Sequence, residues 1–182
     1  MGEYYFDIET YAPGEKPDPR NDRIISIQYQ RLSSEEGLPE GPLEILTEWD
    51  SGSERTMLES FKQVFLTGRS FDFIPVGLNL HGYDMIVLLN RLNHHFDLKL
   101  DMSFFRDRPM IDIKPILVLM NRGSFKGHSE LMGRNESGAQ IKAWYEARDY
   151  KSIISYVQRE AENFIEKYRF LKQELGALRF SP

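Results

Sequence analysis

Tyr4-Tyr5-Phe6-Asp7-Ile8-Glu9 is an apolar run that ends on two acids. Read as a strand, its side chains alternate faces, so Asp7 and Glu9 share one face, roughly 7 Å apart along the backbone. Two carboxylates on one face repel each other unless something positive lies between them. A divalent ion with hard oxygen ligands, Mg²⁺ or Mn²⁺, is one solution. A strand end whose acids simply face water is the other. The fold follows from what this strand is joined to.

Tyr11 to Asp22 holds three prolines, a glycine and several charges, which predicts a loop. Ile24 to Gln30 alternates apolar and polar residues and reads as a second strand, and Leu43 to Thr47 as a third. Ser53 is placed to cap a helix whose apolar positions are Met57, Leu58, Phe61, Val64 and Phe65, and Gly68 closes it. Phe73 to Leu78 reads as a fourth strand, with Pro75 pointing to an irregular or edge position. Tyr83 to Phe96 has helical spacing. Met110 to Ile113 is a candidate short strand and Pro115 to Asn121 a short helix, while Gly133 to Gly138 reads as a loop. Lys151 to Leu175 carries Ile154, Val157, Ala161, Phe164, Ile165 and Tyr168 on one stripe of a long helix. Three strands in series, then a helix, a strand and more helices, predict an α/β domain: a mixed five-stranded sheet flanked by helices. One domain is expected over 1–175, with a flexible tail at 176–182.

Composition narrows the class. Apolar residues at 41% and aromatics at 13% suffice for a core. With no cysteine, disulfides and thiolate zinc sites are excluded. The longest apolar run, Met85 to Leu89, is too short to span a bilayer, and the amino terminus lacks signal-peptide character. The expectation is a soluble, cytoplasmic protein with no membrane partner. A net charge of −5 argues against a passive basic coat for nucleic acid. It does not argue against an enzyme whose acids hold metal, since bound cations reverse the local charge.

Three more acidic positions matter. Asn79-Leu80-His81-Gly82-Tyr83-Asp84 joins the fourth strand to a helix and puts Asp84 in that helix's first turn. There the helix dipole favours a carboxylate, a sufficient reason for it in itself. Asp112 sits in an apolar setting between Ile111 and Ile113. On the last helix Tyr156 and Glu160 are four apart and project from one face, where a solvated glutamate beside a border tyrosine is the plain alternative.

Taken in order, Asp-x-Glu on the first strand, Asn-x-x-x-Tyr-Asp entering a helix and Tyr-x-x-x-acid on the last helix resemble the DEDD superfamily of 3′–5′ exonucleases. The resemblance runs from about Tyr4 to Lys172 and is nearest to the branch related to the exonuclease domain of family B DNA polymerases. Pro75-Val76-Gly77-Leu78-Asn79, Ile111-Asp112-Ile113 with the later Gly123 to Phe125, and Asp149-Tyr150-Lys151 are similar to the family's intervening segments. The resemblance implies a ribonuclease H-like fold and a metal-dependent exonuclease removing nucleotides from the 3′ end of single-stranded DNA or RNA, DNA favoured. It implies that Asp7, Glu9, Asp84 and Glu160 hold two divalent ions, Mg²⁺ or Mn²⁺, and that Tyr156 orients the attacking water. A replication or DNA-repair protein is an implied partner. Glu160 departs from the pattern, because the family usually has aspartate there; Asp149 and Glu162 are nearby acids without the four-residue spacing.

Strand contacts are expected from Asn79, His81, Tyr83, Arg106, Arg122 and Lys126, with Arg108, Phe104, Phe105 and Phe125 as further cationic and stacking candidates. Two other classes compete. One is a degenerate exonuclease-fold module that binds nucleic acid or a partner without cleaving, motivated by Glu160. The other is a structural subunit whose acids pair with arginines. An NTPase is excluded by the lack of Gly-x-x-x-x-Gly-Lys-Ser/Thr.

Overall fold

The computed structural model describes residues 2–12, 14, 17–66, 68–124 and 139–176. Five strands form one mixed sheet in the order β3-β2-β1-β4-β5: β1 Glu3–Tyr11, β2 Arg23–Leu32, β3 Glu44–Thr47, β4 Ile74–Gly77 and β5 Ile111–Asp112. β1, β2 and β3 are antiparallel neighbours, whereas β4 runs parallel to β1 and β5 parallel to β4. The helices are α1 Glu48–Ser51, α2 Glu54–Phe65, α3 Asp84–Phe96, α4 Lys114–Met120, α5 Ala139–Glu146 and α6 Tyr150–Gly176, with a 3₁₀ turn at Met102–Arg106. The predicted α/β class with its five-stranded mixed sheet is therefore what forms. The loop expected at Gly133 to Gly138, and the tail beyond Gly176, lie outside the described residues.

Alternation on β1 divides the core. Phe6 and Ile8 pack on one side with Met57, Leu58, Phe61 and Phe65 of α2 and Met85, Val87, Leu88 and Leu92 of α3. Tyr5 faces the other side, where Ala161, Phe164, Ile165, Tyr168 and Leu171 of α6 cover the sheet with Leu117 of α4. Farther along that face, Ile25 packs with Ile141 of α5 and with Ile153, Tyr156 and Val157 of α6. Burying each such side chain stabilises the fold by about 1.5–3 kcal/mol. Asp7 and Glu9 alternate with Phe6 and Ile8, so both lie on the α6 face.

β4 is not an edge strand, contrary to the expectation drawn from Pro75. It lies between β1 and β5. Ile74 N–H donates to Gly2 at 2.8 Å on the β1 side, so the next residue, Pro75, turns its backbone toward β5. The β5 ladder begins only at Val76, so Pro75's missing N–H meets no waiting acceptor. Gly77 is required for a different reason. A Cβ there would lie 2.6 Å from the Phe6 carbonyl oxygen and 2.6 Å from Leu80.

Candidate active site

The site forms where β1 outruns its neighbour. β4 pairs with β1 only from Glu3 to Tyr5, leaving the far half of β1 open on that side. Asp84, the first residue of α3, fills the gap: its carboxylate accepts the Ile8 N–H and lies within the field of Asp7. Asp84 is 5% exposed. Burial pushes its carboxyl well above the usual carboxylate range, and the charges of Asp7 and Asp112 push it further, against the pull of the backbone N–H donors at Asp84 and Ile8.

The opposite wall comes from α6. Tyr156 and Glu160 are 4% and 7% exposed. They stand about 6 Å apart along the helix. Glu160 therefore does not lie on a solvated face. The buried side of α6 holds Val157, Ala161, Phe164, Ile165 and Tyr168 of the predicted stripe, with Ile153 in place of Ile154, and it extends to Tyr156, Glu160 and Leu171. Along α6, Glu160 lies between the apolar clusters that hold Ala161 and Val157. Along β1, Asp7 and Glu9 lie between Tyr5 and Tyr11, which belong to the same two clusters. Asp7 and Glu9 on β1 and Glu160 on α6 thus each fall between the same two apolar clusters.

The floor is polar as well. Gln28 pairs in register with Asp7, and Ser26 with Glu9; both are fully buried and joined by a 2.7 Å hydrogen bond from Gln28 Nε2 to Ser26 Oγ. Gln28 Oε1 has no hydrogen-bond partner among the described residues. A side-chain amide oxygen at the position paired with Asp7 is a hard oxygen donor of the kind a divalent cation takes. Among the described residues, no group of three or more histidine, aspartate or glutamate side chains is gathered tightly enough to hold an ion as it stands.

Two supports were not legible in the sequence. The first is Asp112, whose carboxylate accepts from Asn79 N–H at 2.8 Å, His81 N–H at 3.1 Å and Lys114 N–H at 3.0 Å, and contacts His81 Nδ1 at 3.2 Å. It thereby holds the turn that carries Asp84. Asn79 enters that turn at φ +66°, with its Oδ1 accepting from Lys114 Nζ at 2.7 Å. Gly82 follows because a Cβ there would lie 2.4 Å from Asn79 Oδ1. The acid in an apolar setting was the only sequence signal for Asp112.

The second support is Tyr83. Its hydroxyl donates to the buried Asp22 at 2.6 Å and contacts Thr10 Oγ1 at 2.7 Å. Burial raises its phenol far above the ordinary range, and hydrogen bonding to Asp22 adds to this. Tyr83 adjoins Asp84 and Thr10 adjoins Glu9, so this contact clamps the two acidic segments together. The hydroxyl is committed inside the fold rather than offered to a nucleic-acid strand.

The remaining expectations fare unevenly. His81 keeps a side chain 55% exposed at the turn. Arg106 is in solvent beside Asp107, and Phe104 and Phe105 pack into the cluster under α2 and α3, on the sheet face away from α6. Arg108 lies over Phe104 at 4.8 Å and donates to the Phe65 carbonyl oxygen, a packing role. Arg122 is exposed just beyond α4. Lys126 and Phe125 lie outside the described residues. Asp149 caps α6, accepting from Ser152 N–H at 3.2 Å and Ser152 Oγ at 2.6 Å, and Glu162 is exposed, so neither replaces Glu160.

No protein-family model and no curated protein matches the chain. Solved structures do. E. coli Exonuclease I in complex with a dT13 oligonucleotide matches 97% of this chain with a TM-score of 0.63 at 15% identity. The fold is that of the matched part of Exonuclease I. Exonuclease I in complex with the inhibitor BCBP gives the same values, and SSB/Exonuclease I in complex with the inhibitor CFAM matches 94% with a TM-score of 0.61 at 14% identity. The chain spans about two fifths of those proteins, 41–42% of their length. At this identity the likeness is one of fold, and it agrees with the ribonuclease H-like architecture built above.

Proposed function

We propose that the chain is a metal-dependent 3′–5′ exonuclease that hydrolyses phosphodiester bonds at the 3′ end of single-stranded DNA. The observation that carries this reading is Asp84, a buried carboxylate seated on the open edge of β1 within the field of Asp7. A fold assembled for stability alone gains nothing from two such charges brought together in a dry site. Asp7, Glu9, Asp84 and Glu160 would hold two Mg²⁺ or Mn²⁺ ions. Such a pair, when bound, supplies an activated water and stabilises the leaving 3′ oxygen. Tyr156 presents its phenol from α6 to orient the water. Glu9, farther along β1, would face the strand's terminal nucleotide. Tyr83 and Asp112 hold the two acidic segments in register.

The dT13 complex of Exonuclease I supports single-stranded DNA as the substrate class, and the SSB/Exonuclease I structure supports a single-strand-binding protein as a partner class. Kinship with the family B polymerase exonucleases rests on the sequence motifs alone. No described helix is long and apolar enough to cross a membrane.

A second reading, a module that binds without cleaving, draws on two observations. Glu160 is one methylene longer than aspartate, and an ångström of misplacement can lower a rate about 10²-fold. The acids also do not close into a ready ion-holding group. One experiment separates the two readings: a 5′-labelled oligonucleotide, DNA and RNA in parallel, incubated with Mn²⁺, Mg²⁺ or EDTA. A ladder shortening from the 3′ end, abolished by EDTA and by Asp7→Ala, is the expected result. No cleavage by the native chain, with cleavage recovered in Glu160→Asp, would establish the degenerate module instead.

A further inference from the structure

Beyond Glu9 the α6 face of the sheet becomes aromatic. Tyr11, two residues on along β1, packs in the cluster that holds Tyr156. Its ring centroid is 5.2 Å from that of Tyr145 on α5, and Trp144 on the same helix lies 6.0 Å from Tyr156. Trp49 of α1 stacks on Tyr150 at 4.4 Å with an interplanar angle of 5°, which closes the back of the group. Tyr11, Trp144 and Tyr145 remain only partly buried. Two cations lie among them. The Arg23 guanidinium is 5.6 Å from the rings of both Tyr11 and Tyr145, and Lys142 Nζ is 6.0 Å from Tyr11. Acids balance part of this charge: Glu48 pairs with Arg23 at 3.4 Å, and Glu146 accepts from the Tyr11 hydroxyl at 3.1 Å.

Docking α5 on the sheet needs only aliphatic contact, as Ile141 supplies. Partly exposed rings interleaved with cations have a further use. Every base has a π face, and stacking on an aromatic side chain is worth about 1–3 kcal/mol per base, while neighbouring cations follow the phosphates. We propose that Tyr11, Trp144 and Tyr145, with Arg23 and Lys142, form a stacking platform for the single strand whose 3′ end enters the acidic site. The occupant follows from continuity. Trp144 touches Tyr156, and Tyr11 lies roughly 7 Å along β1 from Glu9, so the platform adjoins the site that cuts. The proposal rests on the exonuclease reading.

The chain has two tryptophans, Trp49 and Trp144, and both belong to this cluster, so intrinsic fluorescence reports on it directly. The full chain carrying Asp7→Asn, in EDTA to prevent cleavage, is titrated with an oligothymidylate and with an abasic strand of equal length. In the Trp49→Phe background, the Trp144 signal is expected to quench saturably with oligothymidylate and not with the abasic strand. In Trp144→Phe, the remaining Trp49 signal should change little. Trp144→Ala is expected to weaken binding between about 5- and 150-fold, the worth of one stacked base. Unquenched Trp144 in the presence of saturating strand overturns the platform, as does undiminished affinity in a folded Trp144→Ala chain. If Trp144→Ala does not fold, the Trp49→Phe titration still decides. Failure of the cleavage reading has a separate signature: no product from the native chain while Trp144 still quenches.

Discussion

Glu54→Ala tests the logic by which the scaffold holds the site. Glu54 lies in the first turn of α2 with a side chain only 4% exposed. Its carboxylate accepts from the Ile24 N–H at 2.8 Å and from Arg91 Nε and Nη2 at 2.8 and 2.5 Å, and contacts His95 Nε2 at 2.8 Å. Ile24 lies where the β1–β2 register slips opposite Glu9 and Thr10, a bulge that leaves a backbone donor in need of a partner. Removing Glu54 leaves the largely buried Arg91 charge without its counter-ion and Ile24 N–H without an acceptor. Breaking a buried pair costs about 3–5 kcal/mol. A domain is stable by only about 5–15 kcal/mol, so at least a fifth of that margin is lost. At about 2–4 °C per kcal/mol for a chain of this size, Tm should fall by about 6–20 °C.

Burial raises the Glu54 carboxyl, but hydrogen bonds from Arg91, His95 and Ile24 outweigh it, and the net direction is below the ordinary value of 4.5. The stabilisation is therefore present above about pH 4.5 and lost as pH falls through the lower folded-state value. Urea unfolding followed by circular dichroism at pH 7 and at stepwise lower pH measures both effects. Arg91→Ala and the double variant complete the cycle, and the double should cost less than the sum of the singles. A loss under about 1 kcal/mol at pH 7 in Glu54→Ala, or strict additivity, would refute the reasoning.

Asp84→Asn should stabilise the metal-free chain while abolishing cleavage. The Asp84 carboxyl is raised above its ordinary 3.8, so as pH rises through that value the unfolded state ionises first and the native chain loses stability. The advantage of the variant should therefore be absent near pH 3 and grow as pH rises above the ordinary value, as read by thermal melts in EDTA. Tyr83→Phe removes a hydrogen bond to the buried Asp22, worth about 1.5–3 kcal/mol, and should lower Tm by about 3–12 °C. A shift below 1 °C would mean that the clamp between Thr10 and Tyr83 carries no load. Asp112→Ala frees the Asn79–Gly82 turn and should lower cleavage about 10²-fold through misplacement of Asp84. Asp112→Asn, which keeps an acceptor oxygen, should retain more activity than Asp112→Ala in a single-turnover assay.

Local patterns along the chain determined a good deal. Strand alternation put Asp7 and Glu9 on one face. Ser53 before an apolar i, i+3, i+4 series marked the start of α2, and its Oγ does accept from Thr56 N–H at 3.1 Å. The spacing of Tyr156 and Glu160 placed both on one side of α6. The turn from Asn79 to Asp84 was visible as a polar, glycine-containing segment between a strand and a helix, although the left-handed Asn79 within it was not. Each of these depends on backbone periodicity or turn chemistry, which a few neighbouring residues set among themselves.

Tertiary structure alone decided the rest. Which edge of β4 pairs, and where β5 begins, determined that Pro75 sits inside the sheet, since a missing donor matters only where an acceptor would face it. Burial of Glu160 depended on how α6 packs against the sheet, which widens the buried side beyond the apolar positions that periodicity marks. The roles of Asp112, Tyr83, Asp22 and Glu54 come from hydrogen bonds spanning 30 to 61 residues, for which no local pattern exists. The closeness of Asp84 to Asp7 is likewise long-range. It arises because β1 is longer than β4, leaving an open N–H at Ile8 for a carboxylate brought in by a different element.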